Sequence, residues 1–194
     1  DVEYFCPQDV EIEPNTMVFV GGMDWLPNED GIIYFTREIL PLIQDRIPSV
    51  RLYVVGRNPT EKIKRLGMSN KAIIVTGIVG DVRGYVARSQ AAIVPLRIGG
   101  GTRLKIYQFM AMAKPVVSTT IGAEGLTVTH GENILLADTP DEFAKEVVGL
   151  LEDTKLQQRI GKAGREMVTK YYSWDKIAEC FQKICEELLA TGGK

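Results

Sequence analysis

The sequence is poor in the residues that most often announce a site. It has one histidine, His130, and three cysteines, Cys6, Cys180 and Cys185, with no CxxC or metal-ligand spacing. That spacing argues against a zinc cluster or a disulfide framework, and an odd set of thiols suits a reducing compartment better than a secreted one. No apolar run approaches the roughly 20 residues that span a bilayer, and no basic stretch followed by an apolar one opens the chain. Charge of one sign is lacking too: a formal net charge of −2 offers no field to draw nucleic acid or an anionic membrane. GxxxxGKS/T is absent and the loop after the first strand lacks GxGxxG, so neither the P-loop nor the dinucleotide fingerprint is present.

What remains is an ordinary globular balance. At 194 residues, 45% apolar and 25% charged, the chain can form one compact α/β domain, or at most two small ones. Met17–Val20, Arg51–Val55, Ala72–Thr76, Ala91–Val94, Pro115–Ser118 and Asn133–Leu136 read as strands, apolar on both faces as a parallel sheet between helices requires. Asn28 can cap a helix running towards Arg46, with Glu29 and Asp30 in its first turn. Asp81 can cap a short helix carrying Val82, Tyr85 and Val86, and Thr102 one through Ala113. Thr139-Pro140-Asp141-Glu142 has capping-box spacing ahead of Phe143 to Leu151. Two more helices are expected over Lys155–Tyr171 and, behind Ser173, over Trp174–Leu189. The alternation predicts a Rossmann-like, doubly wound parallel α/β sheet over 15–140, with C-terminal helices over 141–190 packed alongside.

In such a sheet ligands bind outside the carboxyl ends of the strands, where strand order reverses. Those ends carry Gly21-Gly22, Gly56-Arg57-Asn58, Gly77-Ile78-Val79 and the run from Arg97 to Arg103. One glycine there is ordinary turn chemistry; four such turns along one edge suggest a rim that a ligand approaches closely. The strongest local feature is Arg97-Ile98-Gly99-Gly100-Gly101-Thr102-Arg103-Leu104-Lys105. It leaves a strand and enters a helix, so free backbone N–H groups and the positive end of the helix dipole converge, as a phosphate requires. Arg103 and Lys105 place two cations in the first turn, each unfavourable by up to roughly 1 kcal/mol there. An anion would relieve them; a solvated helix face is the plain alternative. The fork of Arg103 suits a diphosphate.

Gly99-Gly100-Gly101-Thr102-Arg103-Leu104-Lys105-Ile106, followed by Met110-Ala111-Met112-Ala113-Lys114-Pro115-Val116-Val117-Ser118-Thr119, resembles the C-terminal domain of group 1 (family 4) retaining glycosyltransferases of GT-B fold. The likeness continues through Ile121-Gly122-Ala123-Glu124-Gly125-Leu126 to Tyr172-Ser173-Trp174. Upstream it includes Asp1–Phe5 with Pro7, Val54-Val55-Gly56 and Val75–Val79. Met23-Asp24-Trp25, Pro27-Asn28 and Gly56–Pro59 are most similar to bacterial polysaccharide-associated sugar transferases. The resemblance implies two Rossmann-like domains facing a cleft, with residues 1–194 as the single nucleotide-sugar-binding domain and the N-terminal acceptor domain absent. A start at Asp1 fits an excised piece. The implied reaction moves a sugar from a UDP- or GDP-linked donor to an acceptor glycan or lipid-linked sugar, with retention and in polysaccharide or glycan biosynthesis. It implies no metal and no cofactor besides the donor, no nucleic-acid partner, and a cytoplasmic protein that in full length can sit at the inner membrane face. The piece alone is expected to bind nucleotide without transferring sugar.

Carried over by position, Arg103 and Lys105 would stabilise the diphosphate leaving group. Gly21, Gly22, Gly56, Arg57, Ile78, Val79, Gly99, Gly100, Gly101, Thr102, Leu104 and Gln108 would line the donor. The family's two glutamates, one on the donor sugar and one on the ribose hydroxyls, correspond to Gly100 and Gln108. An amide still hydrogen-bonds a ribose diol, less strongly than a carboxylate; a buried helix amide between Leu104 and Met112 is the other reading. The family's basic residues after the first strand are replaced by Gly22-Met23 and Pro27-Asn28, which moves the diphosphate's charge onto Arg103 and Lys105, shared with Arg57 or Arg97. Ile78 and Val79 fall where the family holds the base, or are simply core. Glu124 and His130 read as turn residues, and Trp174 with Tyr171 and Tyr172 as packing. Ile177, Phe181, Ile184 and Leu188 form an apolar face expected to be exposed, because in intact relatives the last helix reaches back to the other domain. A catalytically silent nucleotide-binding or scaffold protein is the alternative, motivated by Gly100 and Gln108; a sugar-nucleotide epimerase would need more acids and bases in the cleft.

Overall fold

The computed structural model describes residues 1–99, 101 and 103–191. Strands β1 (Thr16–Val20), β2 (Arg51–Val55), β3 (Ile73–Gly77), β4 (Ala91–Val94), β5 (Val116–Ser118) and β6 (Leu135–Leu136) form one sheet in the order β3-β2-β1-β4-β5-β6. Every pairing is parallel. Met17, Val18, Phe19, Leu52, Ile93 and Val94 are fully buried at neighbouring positions, as strands covered by helices on both faces must be. The chain builds from β1 out to β3, then crosses back to β4 and builds out to β6. Strand order therefore reverses between β1 and β4, which puts the crevice at their carboxyl ends.

Residues 26–46 are helical in three parts: α1 (Leu26–Tyr34), a π-helical turn (Phe35–Ile39) and α2 (Leu40–Arg46). Pro41 accounts for the middle part. It has no N–H to give a preceding carbonyl and its ring crowds that turn, so the ladder slips and Leu40 N–H reaches Phe35 O. The helix begins at Leu26, ahead of the expected Asn28 cap, with Pro27 in the first turn where its missing N–H costs nothing. Asn28 is thereby inside the helix and only 7% exposed, which corrects its role from cap to buried amide.

One helix was not expected. α3 (Glu61–Ser69) starts at Thr60, whose Oγ1 accepts from Ile63 N–H at 3.4 Å, and it buries only Ile63 fully. A mostly charged segment with so narrow an apolar stripe carries little periodic signal. α4 (Arg83–Arg88) has Val82 at its N-cap in place of the expected Asp81, whose Oδ1 accepts from Arg83 N–H at 2.9 Å from one residue further ahead. α5 (Leu104–Ala111) ends before Ala113, whose φ of 53° takes the chain out of the helix; the proposed cap, Thr102, and Gly100 lie outside the described residues. α6 (Pro140–Glu152) carries the full capping box between Thr139 and Glu142. α7 (Thr154–Tyr171) is capped by Asp153, and α8 (Trp174–Thr191) by Ser173, which accepts from Lys176 N–H at 3.4 Å.

Packing then sets the layers. Phe35 and Phe143 meet edge to face at 5.9 Å, locking the π turn onto α6. Each such fully buried side chain contributes about 1.5–3 kcal/mol. Gly161 and Gly164 let α7 lie directly on the end of α5: a Cβ at Gly161 would collide with Ala113 O, and one at Gly164 would sit 3.0 Å from Met110 Cγ. α5, whose first turn faces the crevice, is thus held from behind by a helix that has no room to move closer.

Candidate functional site

The β1 and β2 loops are stitched by backbone. Gly21 N–H donates to Val55 O at 2.9 Å, Gly56 N–H to Gly77 O at 3.2 Å, and Met23 N–H to Arg57 O at 2.9 Å. Gly56 has a φ of 152°, and a Cβ there would run into Gly21 O, so only glycine lets the two loops meet. Gly77, Gly99 and Gly101 also hold positive φ, whereas Gly21 and Gly22 do not. For that pair the requirement is space: a Cβ on Gly21 would lie 2.7 Å from Asn28 Nδ2 and 2.9 Å from Lys105 Nζ.

Asn28 is the hub that sequence reasoning missed. Its Nδ2 donates to Gly22 O at 2.8 Å, and its Oδ1 accepts from Lys105 Nζ at 2.9 Å. Lys105 Nζ also sits 4.4 Å from the centre of the Phe19 ring, a cation on an aromatic face. The lysine of the Gly-rich loop's helix is therefore delivered to the end of β1, across the reversal point. Burial, followed by the nearby Arg103 charge, pushes the Lys105 ammonium down to about 7. Nothing in the sequence could pair residues 77 positions apart, and Asn28 after a proline reads as a helix cap.

The carboxylates of this loop are all engaged elsewhere. Asp24 Oδ2 accepts from Asn58 Nδ2 at 2.8 Å, and that bond holds its carboxyl below the usual range. Glu29 accepts from Thr60 Oγ1 at 2.7 Å and pairs with Lys62, and Asp30 pairs with Arg97 at 2.7 Å. Arg97 also stacks 4.5 Å over Tyr34, so it belongs to the outer face of α1 and not to the crevice. Arg103 is half-buried, with Nη2 against Gly99. Arg57 lies on the other side of Gly22: a Cβ there would be 3.5 Å from its Nε.

Not every predicted residue falls in one hollow. Gly22 and Arg57 line an open one with Asp24, Trp25 and Asn28. Leu104 and Gln108, one turn apart, line a separate apolar cavity of about 530 Å³ shared with Tyr107, Tyr172 and Trp174. Gln108 is half-buried, and among the described residues its side-chain amide has no hydrogen-bond partner. Ile78 is 82% exposed beyond β3, so the core reading fails for it, while Val79 packs partly against the core. Tyr107 and Tyr172 stack at 4.5 Å, and burial, followed by a side-chain hydrogen bond with Tyr172, holds the Tyr107 phenol well above its usual range. His130 Nδ1 accepts from Leu136 N–H at 2.9 Å, a turn role as expected. Trp174 is 71% exposed, and the α8 face of Ile177, Phe181, Ile184 and Leu188 is exposed with it. Among the described residues no helix is long and apolar enough to cross a membrane.

A doubly wound α/β domain with desolvated cations at its reversal point is the class that fold and site define. The chain belongs to the group 1 glycosyl transferases, whose family model matches residues 14–153. It is 28% identical over 153 residues to the GDP-mannose-dependent alpha-(1-6)-phosphatidylinositol monomannoside mannosyltransferase of Mycobacterium tuberculosis, matching 72% of this chain and 40% of that one. It is similar in fold to the C-terminal domain of a Francisella tularensis group 1 glycosyl transferase, LpcC, with a TM-score of 0.72 and 18% identity over 90% of this chain and 98% of that one. Anabaena HepE in complex with UDP and glucose shares the fold with a TM-score of 0.70 and 19% identity, over 90% of this chain and 48% of that one. The chain spans between 31% and 49% of the length of the curated relatives it matches.

Proposed function

We propose that this chain is the donor-binding domain of a glycosyltransferase, holding a nucleotide-diphosphate sugar at the carboxyl ends of β1 and β4. The observation that carries the reading is Lys105, a desolvated cation at the reversal point, with Asp24, Glu29 and Asp30 of the adjoining loop and helix each bound elsewhere. A diphosphate supplies the missing charge. Arg103, one turn-start away, adds a second cation, and the backbone N–H groups at the head of α5 add fixed dipoles. As the bond from sugar to diphosphate breaks, negative charge builds on the leaving oxygen. These groups meet it already oriented, so no solvent has to reorganise, and a metal ion is not required for that step.

The base lies towards Ile78 and the end of β3, and the ribose towards Gln108, whose open amide can bond a diol. The sugar moves with retention to an acceptor glycan or lipid-linked sugar, held by a second domain that the exposed face of α8 helps to dock. Polysaccharide or glycan assembly on the cytoplasmic side is the setting that fits such donors. On this reading the 194-residue chain binds donor and does not transfer it alone.

Calorimetric titration with UDP, GDP, UDP-glucose and GDP-mannose tests the proposal, and no binding by any of the four refutes it. Arg103→Ala is expected to weaken the diphosphate ligands at least tenfold while leaving uridine or guanosine unchanged, as one lost charged hydrogen bond of about 1.5–3 kcal/mol implies. The silent-scaffold reading rests on Gly100 and Gln108; donor binding with no hydrolysis or transfer by the longer protein would favour it.

A further inference from the structure

Lys105 has a property that simple charge pairing does not use. Its ammonium lies between Asn28 Oδ1, Gly21 and the Phe19 ring, and the hydrogen bond to Asn28 is the one it makes among the described residues. A protonated lysine offers three donors, so in the absence of ligand the charge is enclosed with one neutral acceptor. The charged group that acts on it among the described residues is of the wrong sign: Arg103, just ahead of α5. Arg57, in the β2 loop, lies on the far side of Gly22. Asp24 in the β1 loop is held by Asn58, and from α1 Glu29 is held by Thr60 and Lys62 and Asp30 by Arg97. β1 itself contributes only Phe19 and the Gly21 backbone.

We propose that donor binding is coupled to proton uptake at Lys105: without donor the enclosed amine holds its proton weakly, and the diphosphate recruits the ammonium. The inference rests on the donor-binding reading above and adds to it a dependence on pH. The step balances simply. Nζ of the neutral amine takes a proton from solvent, and the new N–H bonds donate to phosphate oxygens already ionised throughout the neutral range. The same enclosure that leaves the charge unpaired, with Arg103 beside it, is the physical cause of an ammonium that titrates at about 7 in the empty site. An opposite charge within hydrogen-bond distance reverses that preference.

A sugar nucleotide is the probe, because both of its phosphates are esterified and carry no proton near neutrality, whereas the terminal phosphate of a free diphosphate does. UDP-glucose and GDP-mannose are titrated into the 194-residue chain at pH 7 in two buffers of different ionisation enthalpy. For a group half protonated at pH 7 and fully protonated once bound, uptake is about 0.5 proton per site, and affinity falls about tenfold from pH 6 to pH 8. Lys105→Arg keeps a charge that does not titrate, so uptake should vanish and the pH dependence flatten. Following the Lys105 CεH₂ resonance against pH in the free chain gives the titration directly and does not depend on the variant folding.

Binding of either donor with no proton exchange overturns the coupling and leaves the donor reading intact. Uptake that persists in Lys105→Arg, or a free-chain Lys105 that titrates near its ordinary 10.5, overturns it as well. No binding of either donor at any pH sinks the donor reading and this inference with it.

Discussion

Two neighbouring glycines separate the site from the scaffold. In Gly21→Ala the new methyl would lie 2.7 Å from Asn28 Nδ2 and 2.9 Å from Lys105 Nζ, both ends of side chains that can swing away. The fold loses at most the two Asn28 hydrogen bonds, to Gly22 O and from Lys105, about 1 kcal/mol each, and regains 0.4–1 kcal/mol through a less flexible unfolded chain, so the net cost should stay below about 2 kcal/mol. The donor site does not escape, because the ammonium is pushed off its position. Losing one charge-assisted bond of about 1.5–3 kcal/mol weakens UDP-glucose roughly 10- to 100-fold. Gly56→Ala is the contrast. Its methyl would meet the Gly21 carbonyl, backbone that cannot yield, at a φ of 152°. That change should cost about 2–4 kcal/mol. Urea unfolding measures the first quantity and calorimetry the second. The reasoning fails if Gly21→Ala costs more than about 2 kcal/mol with affinity intact, or if Gly56→Ala proves as mild as its neighbour.

Stability of the ligand-free chain should rise with pH above neutrality. Lys105 titrates at about 7 and Lys114 at about 8 in the folded state, both lowered from 10.5 by burial, so between those values the unfolded chain binds more protons. The slope is at most about 1.4 kcal/mol per pH unit for each lysine; urea unfolding at pH 7 and pH 9 reads it, and a flat profile counts against both assignments. Lys114 donates to Ala87 O at 3.0 Å and to Ser89 O, closing the end of α4; Lys114→Met should remove its share of the slope. Gly161→Ala should lower stability by about 3 kcal/mol or more despite alanine's better helix propensity, since the methyl meets Ala113 O. Thr139→Ala removes the capping box of α6 and should cost about 0.5–2 kcal/mol by thermal melting, with donor affinity unchanged.

Much of the architecture is legible in the sequence because local chemistry writes it there. Strands apolar on both faces, the Thr139 capping box and the glycines after strands state a parallel sheet with a receptive edge before any contact is known. The Gly99–Lys105 stretch reads as a candidate anion site by the same means, with cations and glycines ahead of one helix start. Boundaries yielded less well. The helix at Leu26 starts early because Pro27 is content in a first turn, α3 hid behind its charge, and the π turn follows from Pro41 inside a helix that packing against Phe143 keeps together.

The tertiary structure alone decided which of the marked residues work together. The direction of Lys105 depends on β1 and β4 being neighbours, and the sheet's crossover makes them so. The choice between Arg57 and Arg97 was open in the sequence; Asp30 and Tyr34 draw Arg97 to the outside of α1. Asn28 turned from a cap into the acceptor for the Lys105 ammonium, because a helix that begins three residues earlier points that side chain inward. Periodicity and capping are properties of neighbours along the chain and can be read from it. A desolvated charge is a property of what surrounds it, and that is assembled only when the chain folds.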